Sequence, residues 1–288
     1  MSRSSSDGLL ADLDLSRRLE WTEARSNAEF AEARAVIAPE TGAEWIEVAG
    51  ATAIFDGSDS PCTQTFGLGM RAPLTEQDLE RIEAFYRRHN SRVFHEVSPL
   101  ADITVHKMLS QRGYYPVEMT NVLFASTSES PILANDRTTG SRRDDSCEVQ
   151  VRTVGETEFS EWAKLSAAGW SDNPEFTDLM YDLALVAASR ERSLSFIAEI
   201  EGRPVGTAGL ILIDDVALLT GASTLQEYRR RGVQRSLLRS RLEVAFEMGC
   251  QLAMICALPG SSSQRNAERS GFRIAYTRIK WALAYSQG

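Results

Sequence analysis

The stretch STLQEYRRRGVQRSLLRSRLEVAFEMG, Ser223 to Gly249, decides how this chain is read. Three arginines and one glycine stand directly before a segment with helical apolar spacing, in a chain of net charge −9. At the start of a helix the unpaired backbone N–H groups and the positive end of the dipole point the same way, which makes an anion site. Gly232 permits a positive φ or a close backbone approach, where a side chain would stand between the amides and a phosphate. The same residues also fit a plainer description: Arg229, Arg230 and Arg231 as a solvated charge run and Gly232 as an ordinary turn residue.

At 288 residues the chain is long enough for two units of common size, each with its own core. A hydrophobic content of 43% with 25% charged residues excludes disordered and fibrous classes. No apolar run reaches the roughly 18 residues of a membrane span, and MSRSSSDG at the start lacks the apolar core of a secretory signal, so the expectation is a cytoplasmic protein that does not engage membranes. Cys62, Cys147, Cys250 and Cys256 fall at no metal-ligand or redox spacing and read as free thiols. His95 and His106 have no neighbouring ligand cluster, and no metal is expected. The acidic balance, with a pI near 5.1, argues against a nucleic-acid protein, since no global positive field is available. Any anion binding must be local.

Outward from the opening stretch, the C-terminal half reads as strand, two helices, three strands, helix, strand, helix, strand. CEVQVR alternates, ETEFSEWAKLSAAGW and EFTDLMYDLALVAAS are helical, and LSFIAEI, VGTAGLILI and VALLTGASTL are strands. CQLAMICAL, SQRNAERS and FRIAYTRIKWALAY complete it. The N-terminal half repeats much of this order, from EWIEVAG and ATAIFDG through CTQTFGLGM, TEQDLERIEAFYRRH, RVFHEVS and ADITVHKMLSQ to YYPVEMTNVLF. Gly113 and Tyr114 align with Gly271 and Phe272. Between the halves, PILANDRTTGSRRDDS is polar and aperiodic. The expected domains are therefore 1–130 and 147–288, joined by a linker at 131–146.

TLQEYRRRGVQRSLL, entered from an apolar strand and leading into an amphipathic helix, resembles motif A of the GNAT superfamily of acyl-CoA-dependent N-acyltransferases. The family signature is Gln or Arg, two residues, Gly, one residue, then Gly or Ala. Arg229, Gly232 and Gln234 occupy the marked positions, Gln234 departing from the small residue expected. SGF, Ser270 to Phe272, resembles the family's signature after its last helix. The resemblance implies an α/β (α+β) fold of two GNAT-like domains, each a mixed, mostly antiparallel twisted sheet flanked by helices, the first degenerate. It implies acetyl-CoA as the acyl donor, its pyrophosphate cradled by Arg229, Arg230, Arg231, Gly232, Val233, Gln234, Arg235 and Ser236, with Ser263 and Asn266 near the pantetheine. Backbone groups of Thr224 and Leu225 would hold the pantetheine arm, and the Leu225 amide would polarise the thioester carbonyl.

The proton-transfer groups are less legible. The family's tyrosine, four residues before the GF glycine, is here Ala267. Tyr276 and Cys256 are the candidates in its place, and Glu199 and Glu227 are weak candidates for a base. On the acceptor side Trp170, Asp172 and Asn173, in the loop between the first two helices, are the substrate candidates, although Trp170 also fits a core anchor. In the N-terminal half Pro73, Glu76, Asp78 and Glu80 stand where the arginines would be, so that half is not expected to bind CoA; it would pack against the catalytic unit, shape its cleft or supply a homodimer surface. The implied reaction is acetyl transfer to an amine of a small molecule or a protein. A non-catalytic CoA sensor is the rival from another class.

Overall fold

The computed structural model of the chain describes residues 11–128, 149–170 and 174–284. The expected linker, Cys147, Asp172 and Asn173 lie outside these residues. The N-terminal half comprises α1 (Leu13–Ile37), β1 (Glu44–Val48), β2 (Ala51–Phe55), β3 (Gln64–Phe66), α2 (Glu76–Arg88), β4 (Phe94–Val97), α3 (Ile103–Gln111) and β5 (Tyr114–Ser126). The C-terminal half comprises β6 (Val149–Thr153), α4 (Phe159–Ala168), α5 (Thr177–Ala188), β7 (Ser193–Ile200), β8 (Arg203–Ile213), β9 (Val216–Thr224), α6 (Val233–Glu247), β10 (Leu252–Ala257), α7 (Ser262–Arg269) and β11 (Arg273–Leu283). The expected strands and helices form in the expected order. Gly113 and Gly271 both take positive φ, of 88° and 92°, and each turns a buried aromatic residue into the protein.

The sheets are not separate. Eleven strands form one sheet in the order β1-β2-β3-β4-β11-β5-β10-β9-β8-β7-β6, which corrects the expectation of one sheet per half. The last strand of each half is exchanged: β11 lies between β4 and β5, while β5 pairs with β10 from Asn121↔Ala257 to Ser126↔Leu252. Only β3–β4 and β9–β10 run parallel, so the sheet is mixed and mostly antiparallel.

α6 and α7 cover one face of the C-terminal sheet over Leu123, Phe196, Leu210, Leu237 and Phe272. α4 and α5 pack on its other face, where the Trp162 indole donates to the Phe196 carbonyl at 2.9 Å. The 25-residue α1, on this second face, was not legible as a helix. Leu15 and Leu19 bury against β9 and β10, Ala24 and Ala31 against β2 and β3. Between them it buries Ser16, Glu20, Thr22, Ser26, Glu29 and Arg34, so no single apolar stripe marks it. These polar residues tie the halves together. Arg34 pairs with Asp56 at 2.9 Å and with Asp182 of α5 at 2.6 Å, and the Arg190 guanidinium donates to Ser26 Oγ at 3.1 Å.

Because β11 fills the gap between β4 and β5, neither half is complete without the other. The whole chain is expected to unfold in one calorimetric transition. A chain ending at Phe272, with two open strand edges in mid-sheet, is expected to aggregate without a cooperative melt. Two separated transitions in the intact protein would contradict the interlock.

Candidate active site

β9 and β10 pair only at Val216↔Leu252, Ala217↔Ala253 and Leu218↔Met254. Beyond Leu218 the two strands part, β9 following β8 and β10 following β5, and a slot opens between them. At its mouth the chain leaves β9, makes one short 3-10 turn over Gln226–Tyr228, and enters α6. Arg230 and Gly232 both take left-handed conformations, φ 64° and 83°, the first unusual for a side-chain-bearing residue. Gly232 is the N-cap of α6 and no side chain caps it. The first amides of this helix have no intrahelical partner, and Arg229 to Gly232 and Arg235 are exposed. A Cβ built on Gly232 meets no protein atom within 4 Å, so its glycine character serves the backbone angle and whatever approaches from outside.

Gln234, the departure from the motif, turns back into the protein: its Nε2 donates to Thr224 Oγ1 at 2.7 Å. The Arg229 guanidinium also turns back, donating to the carbonyls of Gly169 at 3.0 Å and Thr224 at 3.4 Å, so it braces the loop against the end of α4. Arg231 lies over the Tyr228 ring, 5.3 Å from its centroid. Val233 is buried, and the Ser236 amide is taken by the Gly232 carbonyl as an ordinary helical bond. The amides without an intrahelical partner therefore run from Gly232 to Arg235, a shorter run than the expected Arg229 to Ser236.

Several expected roles do not survive. The Leu225 amide donates to the Val205 carbonyl at 3.0 Å, so it is not open to a thioester, while the Thr224 carbonyl accepts from Arg229 at 3.4 Å. Tyr276 is buried, its hydroxyl donating to Glu20 Oε1 at 2.8 Å; burial and the neighbouring Glu20 push its pKa well up, which unfits it as the acid. Burial pushes the Cys256 thiol up as well. α7 is capped by Ser261, not Ser263, and Ser263 and Asn266 are exposed on it. Ala267 is 1% exposed in the core, so that position leaves no room for a tyrosine. Trp170 is no core anchor: it is 47% exposed at the end of α4. Glu199 is bound to Arg152 at 3.0 Å at the far edge of the sheet, and Glu227 is exposed in the turn.

Two features escaped the sequence reading. The β8–β9 register slips by one residue between Thr207 and Gly209, a bulge that leaves Gly221, φ 58°, and Ala222 exposed where β9 leaves β10. A glycine inside a strand was the available signal. Beneath the bulge is Arg241 of α6, 4% exposed, its guanidinium donating to the carbonyls of Leu237, Gly209 and Thr220 at 3.2–3.3 Å. Burial pulls its pKa down to about 9.

In the N-terminal half β3 and β4 part in the same way after Phe66↔Glu96, but the helix that follows begins with a side-chain cap. The Thr75 hydroxyl accepts from the Asp78 amide at 3.1 Å and Asp78 accepts from the Thr75 amide at 3.2 Å, a capping box with Glu76 beside it. Arg17 of α1 donates to the Met70 carbonyl at 2.8 Å.

On the other face of the slot, under α1, lies a buried charge group. Arg278 is 2.8 Å from Glu23, 3.0 Å from Glu96 and 3.3 Å from Glu20. Burial would lower the guanidinium, but these carboxylates outweigh it and hold it well above its usual value. Burial pushes Glu20 up to about 7 against the pull of Arg278. His95, fully buried with neither ring nitrogen hydrogen-bonded, is pushed down to about 3 by burial. Among the described residues no group of His, Cys, Asp and Glu can hold a metal ion, and no helix is long and apolar enough to cross a membrane.

A mixed sheet parted between two parallel strands, with a glycine at the N-cap of the helix at the gap, defines an α+β protein with an uncapped helix start at a strand opening. Residues 157–272, which span the gap and the glycine, match the Acetyltransferase (GNAT) family, whose members use an acyl-CoA donor. The fold extends further than this match. The chain is similar to a GCN5-related N-acetyltransferase from Kribbella flavida, with 18% identity over 90% of this chain and 96% of that one at a TM-score of 0.63. A tandem GNAT protein from the clavulanic acid biosynthesis pathway gives 12% identity over 97% and 98% of the two chains at 0.59. A conserved protein of unknown function from Bacteroides thetaiotaomicron gives 11% over 97% and 99%, also at 0.59. At these identities the likeness is one of fold. No curated protein matches the chain by sequence.

Glu20 gives the site a pH signature. Its carboxyl titrates near 7 when folded against about 4.5 when unfolded, so between these values the folded state holds the extra proton and stability falls as pH rises. The wild type should lose about 1 kcal/mol between pH 6 and pH 8 through this group, and Glu20→Gln should remove that slope. Urea unfolding at the two pH values checks it; equal slopes in both proteins would contradict the assignment.

Proposed function

We propose that the C-terminal half transfers an acetyl group from acetyl-CoA to an amine by direct attack in a ternary complex. The observation that carries the reading is the uncapped start of α6 at Gly232, exposed at the mouth of the slot. There the CoA pyrophosphate would accept from the amides of Gly232 to Arg235, with the exposed Arg230 and Arg235 at hand for its charge. The thioester would lie between β9 and β10, its carbonyl beside the exposed backbone of Gly221 and Ala222, in place of the occupied Leu225 amide.

The chemistry asks little of the protein beyond this. The amine nitrogen attacks the carbonyl carbon, the C–N bond forms, the C–S bond breaks, and the nitrogen gives up a proton while the departing thiolate gains one. A thiolate is a weak base, with a conjugate acid near pKa 8.5, so it leaves without an obligatory acid. Holding the two reactants in line supplies the larger part of the rate. This suits a slot in which Ala267 is core and Tyr276 is engaged with Glu20. The same observations favour a second reading, a CoA sensor without turnover. Thiol release in the presence of amines separates the two.

Gly232→Val is the test of the cradle. Its branched side chain meets no protein atom at Cβ, and holding φ at 83° costs roughly 1–2 kcal/mol, so the variant should remain folded. Acetyl-CoA binding by calorimetry should weaken by at least about a hundredfold, since the new methyls stand over the amides. Unchanged affinity in the folded variant would reject the cradle.

A further inference from the structure

One wall of the slot is irregular by construction. Between the pairs Thr207↔Ser223 and Gly209↔Thr220, β9 sets two residues, Gly221 and Ala222, opposite the single residue Ala208 of β8. Both stand exposed on the stretch of β9 that lies beyond its last pair with β10, Leu218↔Met254. Two glycines make the bulge possible. Gly221 takes a φ of 58°, and a Cβ on Gly209 would lie 2.9 Å from Thr220 Oγ1, too close for a side chain.

Arg241 reaches this bulge from the α6 face. Its Nη1 donates to the Gly209 carbonyl at 3.2 Å and to the Thr220 carbonyl at 3.3 Å, so one nitrogen gathers a carbonyl from each strand where the register slips. Its Nε donates to the Leu237 carbonyl of its own helix at 3.2 Å, which fixes the guanidinium plane. The residue is 4% exposed. Burial pulls its pKa to about 9, with no charged neighbour among the described residues to oppose it, which leaves it a cation at neutral pH. Burying a cation against carbonyls is costly, and an apolar side chain of similar length would avoid that cost. What singles the arginine out is its hold on the two carbonyls.

Peptide geometry carries that hold across the strand. In a trans peptide the C=O and the N–H point opposite ways, so turning the Thr220 oxygen toward β8 and Arg241 turns the Gly221 N–H to the side that β10 has left. A hydrogen bond to the oxygen also polarises the peptide and strengthens its N–H as a donor. We propose that Arg241 is a positioning residue for the acyl transfer: it fixes and polarises the peptide between Thr220 and Gly221 so that the Gly221 N–H donates to the thioester oxygen. The inference rests on reading the slot as an acyl-transfer site. It gives the polarising role, closed to the Leu225 amide by Val205, to a peptide whose orientation is set from α6. The diphosphate at Gly232 and the reacting carbonyl are then both placed by the same helix.

The test needs no acceptor. The full-length protein is mixed with acetyl-CoA carrying carbon-13 at the thioester carbonyl, the NMR shift of that carbon is read free and bound, and affinity is measured by calorimetry on the same samples. In the wild type the bound carbonyl should move downfield. Arg241→Met, which fills the space without charge or donors, should bind acetyl-CoA with unchanged affinity and lose at least about half of that displacement. Arg241→Lys, which keeps the charge but not the planar fork, should recover part of what Met loses. Should Arg241→Met fail to fold, Arg241→Lys must show a smaller displacement than the wild type at equal affinity. A carbonyl that does not move in the wild type, or moves equally in the variants, would overturn the proposal, as would a folded variant that no longer binds. Calorimetry tells the failures apart: binding with no loss of displacement in the variants sinks the role of Arg241 alone, while no binding to the wild type sinks the acyl-transfer reading and this inference with it.

Discussion

The exchange of final strands is the constraint on which the rest of the structure depends. With β11 between β4 and β5, and β5 against β10, the centre of the sheet is made of strands that each half lends to the other. A two-layer unit needs its central strands paired on both edges, so neither half closes its own sheet. The exchange also decides what meets at the middle. Arg278 comes from the last strand of the chain, Glu96 from β4, and Glu20 and Glu23 from the first helix, so the charge group exists only in the interlocked form.

Burying that group is costly, and the structure shows two ways of bearing it. Arg278 is surrounded by carboxylates and held charged, at the expense of Glu20, which burial drives toward its neutral form. Arg241 is held by dipoles: three carbonyls, two of them from the β8–β9 bulge, take its donors. Hydrophobic replacements of buried ion pairs are often as stable as the originals, so stability alone does not account for either arginine. Each instead fixes a local geometry beside the slot. Arg241 holds the carbonyls of a register slip that exposes Gly221, and Arg278 fixes the carboxylate of Glu23 at its floor.

How much of this was legible follows from where the information is stored. The Gly232 loop could be read because a helix start after a strand is a local pattern, and the Gln234 side chain turns back to Thr224. The order of strands and helices was legible for the same reason. α1 was not, because Ser16, Glu20, Ser26 and Arg34 are buried by contacts with residues far away in sequence, and a helix buried through polar residues carries no apolar stripe. The strand exchange was invisible on similar grounds: FRIAYTRIKWALAY reads as a strand whichever sheet it joins. Leu225 was misjudged because its amide is consumed by Val205, a partner 20 residues earlier that only the β8–β9 register reveals.

The two halves place the same elements around a parted pair of strands and start the following helix in different ways. Both sheets part between parallel strands, and both place a helix after the parting. The strand geometry is therefore not what distinguishes the two helix starts. In α6 the N-cap is a glycine at positive φ with no side chain, so the dipole and the free amides face outward together. In α2 the cap is Thr75 with Asp78, which consume the amide and the hydroxyl, and Glu76 adds a charge that repels phosphate while it stabilises the dipole. The side-chain cap that stabilises the start of α2 also occupies the backbone donors that stay open at the start of α6. Arg17, bonded to the Met70 carbonyl, ties α1 to the loop that enters α2. α1 also reaches the C-terminal half, where Glu23 accepts from the Cys256 thiol at 3.1 Å.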